Sequence, residues 1–216
     1  MGQYNKGILG SFAGKIGTVI GSTWNGIMYM KSLPAIKKSR SFSQPQLEQQ
    51  AKFGLMIKFV RSLYDLFILT FKNADNGMTG ANSAMRYNLN NAVQGAYPAY
   101  SINYASVLIS RGVLPGAEAA VTDPSSVSMA GLLTFRWNDN TGKGRAKATD
   151  KAILLAYCDA DKAGAYAVTT DTRGSGTATL NVQAYAGKTV HTYLAFISDD
   201  GKYVSDSVYI GMQVVF

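Results

Sequence analysis

The sequence predicts an α+β protein, with an N-terminal β-hairpin plus a long helix and then a C-terminal antiparallel β-sandwich. Three observations lead there. Two β-rich runs flank Asn25-Gly26. Apolar residues recur at helical spacing from Leu47 to Phe67. Short apolar runs then alternate with polar turns as far as Val215.

The hairpin falls over residues 15–33. Lys15 to Trp24 carries Ile16, Thr18, Val19, Ile20 and Thr23, and Ile27 to Leu33 follows. Asn-Gly between such runs is a strong hairpin signal, because a type I′ turn needs positive φ at both central residues. Gly7, Gly10, Gly14, Gly17 and Gly21 would form a stripe on a helix, but glycine is unfavourable in helix interiors, so strands are expected. Residues 34–41 read as an extended basic connector.

A helix should run from Ser43 to about Phe71. Ser43 can cap it, Gln46 sits at the capping-box position and Pro45 in the first turn. Leu47, Ala51, Phe53, Met56, Phe59, Val60, Leu63 and Phe67 share the helical period, and Arg61 and Asp65 are spaced as an i,i+4 ion pair. From Phe59 onward the helix is apolar on more than one side, which calls for deep burial or a partner subunit. A weaker helix is expected over residues 81–93, ended by Gly95 and Pro98, and a strand over Ser101 to Ser110.

The sandwich is read from Leu132–Trp137, Ala152–Cys158, Ala165–Thr170, Ala178–Val182, Val190–Ile197 and Tyr203–Val215, with turns such as Asn138-Asp-Asn-Thr-Gly and Arg173-Gly-Ser-Gly between them. Leu133, Phe135 and Trp137 share one face of their strand, so Trp137 is expected in the core. The expected domains are 1–42, a basic glycine-rich arm and hairpin; 43–114, a helical segment with its following strand; and 115–216, the sandwich.

Charge is the main functional signal. The net charge of +8 is concentrated in the first half: residues 1–114 hold 12 Lys/Arg and 3 acids, whereas residues 115–216 hold 9 and 10. The first 44 residues contain Lys6, Lys15, Lys31, Lys37, Lys38 and Arg40 and no acid. Such asymmetry suggests a basic segment facing a polyanion, or a cationic surface that serves solubility. Lys143, Arg145 and Lys147 alternate, as on an edge strand guarded against pairing or on a polyanion contact.

Catalytic chemistry finds little to work with. His191 is the only histidine and sits mid-strand; Cys158 is the only cysteine and lies in the apolar run Ile153 to Cys158. One of each cannot build a zinc site of the usual ligand set, and no triad or phosphate loop is spaced for its task. Asp159, Asp161 and Gly164 suggest a calcium loop faintly but lack a distal glutamate. No enzyme activity, no cofactor and no small-molecule substrate is expected. The apolar stretch Leu55 to Phe71 carries Lys58, Arg61 and Asp65, which argues against a membrane span. The N-terminus lacks a secretion signal and a myristoylation motif, so a cytoplasmic location, or one within an assembled particle, is expected.

Two resemblances add to this. Residues 115–216 resemble a fibronectin-type-III or immunoglobulin-like sandwich, carried by Trp137 and by the block from Tyr193 to Ser205. The whole chain is similar to an uncharacterised family of Bacteroidota proteins of about this length. The likeness rests on Gly2-Gln-Tyr-Asn-Lys-Gly-Ile-Leu-Gly-Ser-Phe, Gly21-Ser-Thr-Trp, Tyr29-Met-Lys-Ser-Leu-Pro, Ala51-Lys-Phe-Gly and Ala148-Thr-Asp-Lys-Ala-Ile-Leu. It implies architecture and no activity. The expected function is a non-enzymatic, self-assembling structural protein, in its sharpest form a virion or virus-like shell component whose basic half meets nucleic acid. Phe59, Leu63, Leu66 and Phe67 are the expected homo-oligomer interface. The alternatives are a monomeric binding module using the sandwich loops, or a cytosolic nucleic-acid-binding protein.

Overall fold

A computed structural model of the chain describes residues 3–4, 10–24, 26–35, 41–72, 77–123 and 131–215. Contacts divide the chain after Ser43, into residues 1–43 and residues 44–216.

The first unit is an antiparallel sheet of β1 (Gln3–Tyr4), β2 (Phe12–Ile16), β3 (Val19–Trp24) and β4 (Ile27–Ser32), paired in chain order. The expected hairpin is β3–β4. The run from Lys15 to Trp24, read above as one strand, is two. Gly17 takes φ of 58° and turns the chain, so that Ile16 pairs back onto Val19. Only glycine enters that region without a Cβ penalty. Gly26, at φ 80°, turns β3 into β4; Asn25 lies outside the described residues.

The second unit begins with α1 (Gln44–Ser62), α2 (Tyr64–Thr70) and α3 (Gly80–Asn91). The single helix expected from Ser43 to Phe71 breaks at Leu63, whose φ of −124° and ψ of 28° leave the helical region. Leu63 itself is buried at the bend, and Arg61 and Asp65 fall on different helices. Thr79 caps α3 by accepting from the Asn82 amide.

Next come β5 (Val93–Gln94) and β6 (Ser101–Ile102), which pair with each other. The strand expected to reach Ser110 stops at Ile102. Asn103 accepts from the Ala105 amide and starts a 3-10 turn over Tyr104–Ser106 instead.

The sandwich consists of β7 (Glu118–Asp123), β8 (Leu132–Asn138), β9 (Lys151–Cys158), β10 (Ala163–Thr172), β11 (Thr177–Asn181), β12 (Thr189–Ile197) and β13 (Val208–Val214). One antiparallel sheet has the order β11-β8-β7, the other β10-β9-β12-β13. Residues 139–150 are turns, so the edge strand expected to carry Lys143, Arg145 and Lys147 is not formed.

Two cores share the central strands, because side chains alternate along a strand. Ile153, Leu155 and Tyr157 of β9 and Tyr193, Ala195 and Ile197 of β12 pack with Phe59, Leu63, Leu66, Phe67 and Phe71. Their neighbours Leu154, Ala156, Cys158, Leu194 and Phe196 pack with Leu133, Phe135, Trp137 and Leu180 of the facing sheet. The helices, the four-stranded sheet and the three-stranded sheet therefore form three layers. The boundary expected at residue 114 is absent: helical segment and sandwich close one core between them.

Candidate functional site

The four residues expected at a subunit interface are core residues of their own chain. Phe59, Leu63, Leu66 and Phe67 are at most 1% exposed. The Phe59 ring meets Tyr157 of β9 edge to face at 4.9 Å and Phe67 at 6.0 Å. The helix looked too apolar for its segment because its cover, the outer face of β9 and β12, lies a hundred residues further on. That face is buried and offers nothing to a partner.

The exposed apolar surface lies instead on the N-terminal sheet. Directly opposed residues of antiparallel strands share a face, so the pairing sorts the side chains. One face carries Phe12, Ile16, Val19, Met28 and Met30; the other carries Lys15, Ile20, Lys31, Tyr29, Trp24 and Ile27. Trp24 (63%), Ile27 (62%), Met28 (55%) and Met30 (70%) are exposed in the chain, and every residue of β4 is exposed. A lone sheet normally alternates apolar and polar so that one side meets water. This one exposes large apolar residues on both.

Charge and aromatic rings coincide on the second face. Lys15 is opposite Ile20, and Ile20 is opposite Lys31. With strands about 4.8 Å apart, the two lysines stand about 10 Å from each other across one row. Lys31 reaches toward the Tyr29 ring, 6.0 Å from its centroid. Ser22 pairs with Tyr29 in the next row, and Trp24 pairs with Ile27 at the hairpin end. Two cations and two exposed rings therefore share one face of the sheet. Of the six basic residues read from the sequence, Lys15 and Lys31 come together here; Lys6, Lys37, Lys38 and Arg40 lie outside the described residues. The sequence reading missed Trp24, Tyr29, Met28 and Met30. The unbroken run Ile27-Met-Tyr-Met was the signal, because a strand apolar at every position must be covered on both sides.

The residues with catalytic or metal-binding chemistry are held by structural partners. Cys158 is buried between the sheets. His191 stacks on Tyr104 with ring centroids 3.9 Å apart, and its Nδ1 lies 3.0 Å from the Tyr209 hydroxyl. Burial holds the His191 pKa below its ordinary value, against the pull of Asp159. Asp159 accepts from Tyr104 and Lys162, and Asp161 accepts from Lys188 at 2.7 Å. Burial raises the Asp159 pKa, and the hydrogen bonds from Lys162 and Tyr104 outweigh it to leave the carboxyl below the usual range. Burial, with the charge of Asp159 adding to it, pushes Tyr157, in the same aromatic group, up to about 12. Among the described residues no three His, Cys, Asp or Glu side chains gather where they could hold a metal ion. No helix among them is long and apolar enough to cross a membrane.

Fold and surface define a two-unit α+β protein: a small sheet with apolar residues exposed on both faces, and a β-sandwich backed by helices. The chain belongs to DUF6266, a family of unknown function whose model matches residues 11–211. No curated protein and no solved structure matches it.

Proposed function

We propose that the chain is a non-enzymatic structural protein that assembles through its N-terminal sheet, with the Lys15–Lys31 face turned to nucleic acid. One observation carries this reading: a four-stranded sheet exposes Trp24, Ile27, Met28 and Met30 on its two faces. Contiguous exposed apolar surface of this kind marks an interaction site. The Phe12–Met30 face, without a lysine among its described side chains, suits a second copy of the chain. The opposite face, with its lysines and rings, suits a polyanion. A shell or filament component that packages nucleic acid would use both. The sandwich, with seven strands among its described residues divided three and four, fits the likeness to immunoglobulin-like domains and would be the part displayed by such an assembly.

Light scattering on the purified full chain at micromolar concentration tests the assembly. A mass above 23.2 kDa that collapses to the monomer in a Met28→Lys/Met30→Glu variant is expected. A clean monomer, unchanged when DNA is added, overturns the proposal. For the nucleic-acid face, Lys15→Gln/Lys31→Gln should reduce the salt slope of binding to a single-stranded oligonucleotide by about 1.4, since each phosphate contact contributes about 0.7.

A further inference from the structure

Two cavities open side by side at one end of the sandwich. The larger, about 460 Å3, is lined by Arg145, Lys147, Thr149 and Asp150 from the β8–β9 loop, by Ser198, Asp199, Asp200 and Tyr203 from the β12–β13 loop, and by Leu114. The smaller, about 170 Å3, includes Lys72, Arg111 and Lys202. Arg145 and Tyr203 line both. The Arg145 guanidinium lies 5.1 Å from the Tyr203 ring centroid, and that ring is 41% exposed. Together the cavities reach the size of small-ligand sites, about 300–1,000 Å3.

The side chains there divide by role. The exposed acids already have cations: Asp199 pairs with Lys151 at 2.9 Å and Asp200 with Lys202 at 3.4 Å. Lys143, which precedes the cleft residues, pairs outside it with Glu118 at 2.7 Å. Arg145, Lys147, Lys72 and Arg111 form no ion pair among the described residues. The cleft therefore keeps uncompensated positive charge. Asp150 adds a different requirement. It is 1% exposed; its Oδ2 accepts from Arg173 and from the Lys147 amide, but its Oδ1 has no hydrogen-bond partner. A buried carboxylate oxygen without a donor is unfavourable, so this lining residue calls for a hydroxyl or similar donor from a ligand.

We propose that this cleft binds an acidic saccharide, a sugar unit bearing a carboxylate. The acid group meets Arg145 and Lys147. The ring lies on Tyr203. The hydroxyls reach Thr149, Ser198 and the carboxylates of Asp199 and Asp200, with one donated toward Asp150 Oδ1. A nucleic-acid backbone fits less well, because it brings no hydroxyl-rich edge to Asp150 and would run against Asp199 and Asp200. The site is independent of the N-terminal sheet and of the assembly proposed for it.

Calorimetry with the full chain tests the proposal. The probes are galacturonate tetramer, neutral maltotetraose, inorganic phosphate and a dT oligonucleotide, all in 0.15 M salt. Galacturonate tetramer is expected to bind at least about tenfold more tightly than maltotetraose, as the loss of one charge-assisted hydrogen bond implies. Arg145→Gln and Tyr203→Leu should each weaken that binding about tenfold at unchanged melting temperature, and Lys143→Gln should leave it unaltered. Equal binding of the neutral sugar, preference for phosphate or the oligonucleotide, no binding of galacturonate, or full binding by Arg145→Gln in a folded protein would each overturn it. Because the readout is sugar binding rather than mass, its failure leaves the assembly proposal standing, and the reverse.

Discussion

Arg173 donates to Asp150 at 3.1 Å, with the two side chains 0% and 1% exposed. Its guanidinium also donates to Asn140 and, at 2.9 Å, to the Pro115 carbonyl, and it lies 3.9 Å from the Phe196 ring centroid. Its own carbonyl accepts from the Trp137 indole at 2.8 Å. Burial lowers the Arg173 pKa against the pull of Asp150, yet a guanidinium stays charged throughout the pH range of folded proteins. The pair with Asp150 holds the end of the β8–β9 loop and the bond to Asn140 holds its start, and together they set the shape of the cleft above it.

Removing one member of the pair strands the other. Arg173→Met should destabilise the second unit by about 3–5 kcal/mol, the range for breaking a buried ion pair. Adding Asp150→Asn to the same chain should recover part of that loss, since no uncompensated charge remains. Urea unfolding of the single and double variants measures both. A single variant as stable as the parent would show that the pair does not organise the loop.

Phe59→Ala should lower stability by about 3–5 kcal/mol, as large-to-small aromatic changes in a core do, and should leave the molecular mass of the native protein unchanged. An interface residue would behave the other way, losing mass before stability. Denaturation and light scattering on the same sample separate the two.

What the sequence shows and hides follows from where each partner lies. The unbroken run from Ile153 to Cys158 reads correctly as a strand, and an unbroken run means burial on both faces. The excess apolar character of the helix around Phe59 was equally visible. That the two cover each other was not, because nothing local joins residues so far apart in the chain. The break at Leu63 has neither glycine nor proline to announce it. Gly17-Thr18 turns as tightly as the next hairpin, but Asn25-Gly26 is the stronger signal and drew the boundary away. Lys15 and Lys31 were legible from charge; their shared face needed the register. Arg173 sits in Arg-Gly-Ser-Gly, which reads as a polar turn, and its partners Asp150, Asn140 and Pro115 come from other loops.

His191 gives a pH dependence with a definite sign. Its folded pKa is held below the ordinary value by burial. The unfolded chain therefore binds the proton first as pH falls, and stability contributed by neutral His191 is present above about pH 6.5 and declines as pH drops toward the folded pKa. Because there is one histidine, a single imidazole C2–H resonance should titrate with a midpoint below 6.5. His191→Gln should remove up to one proton from the pH slope of unfolding in that window. A midpoint at or above 6.5 would contradict the half-buried stacking on Tyr104.

Two glycines should respond oppositely to the same change. Glycine inside a strand weakens it unless the backbone needs the room. Gly21, in the middle of β3, is covered by Phe12: a Cβ built there falls on the Phe12 carbonyl oxygen, with the ring at 2.8 Å. The backbone oxygen cannot move aside without opening the β2–β3 pairing of Gly14 with Gly21. Gly54, within α1, has nothing within 4 Å of its Cβ position. Gly54→Ala should therefore stabilise the helix by about 0.5–1 kcal/mol through the unfolded chain and helix propensity. Gly21→Ala should disrupt the N-terminal sheet, visible as loss of dispersed amide signals for residues 12–32 while residues 44–215 keep theirs. If the sheet is also the assembly element, Gly21→Ala reduces the particle to monomers and Gly54→Ala does not. An assembly that survives Gly21→Ala, with the sheet signals gone, would place the contact between copies somewhere other than this sheet.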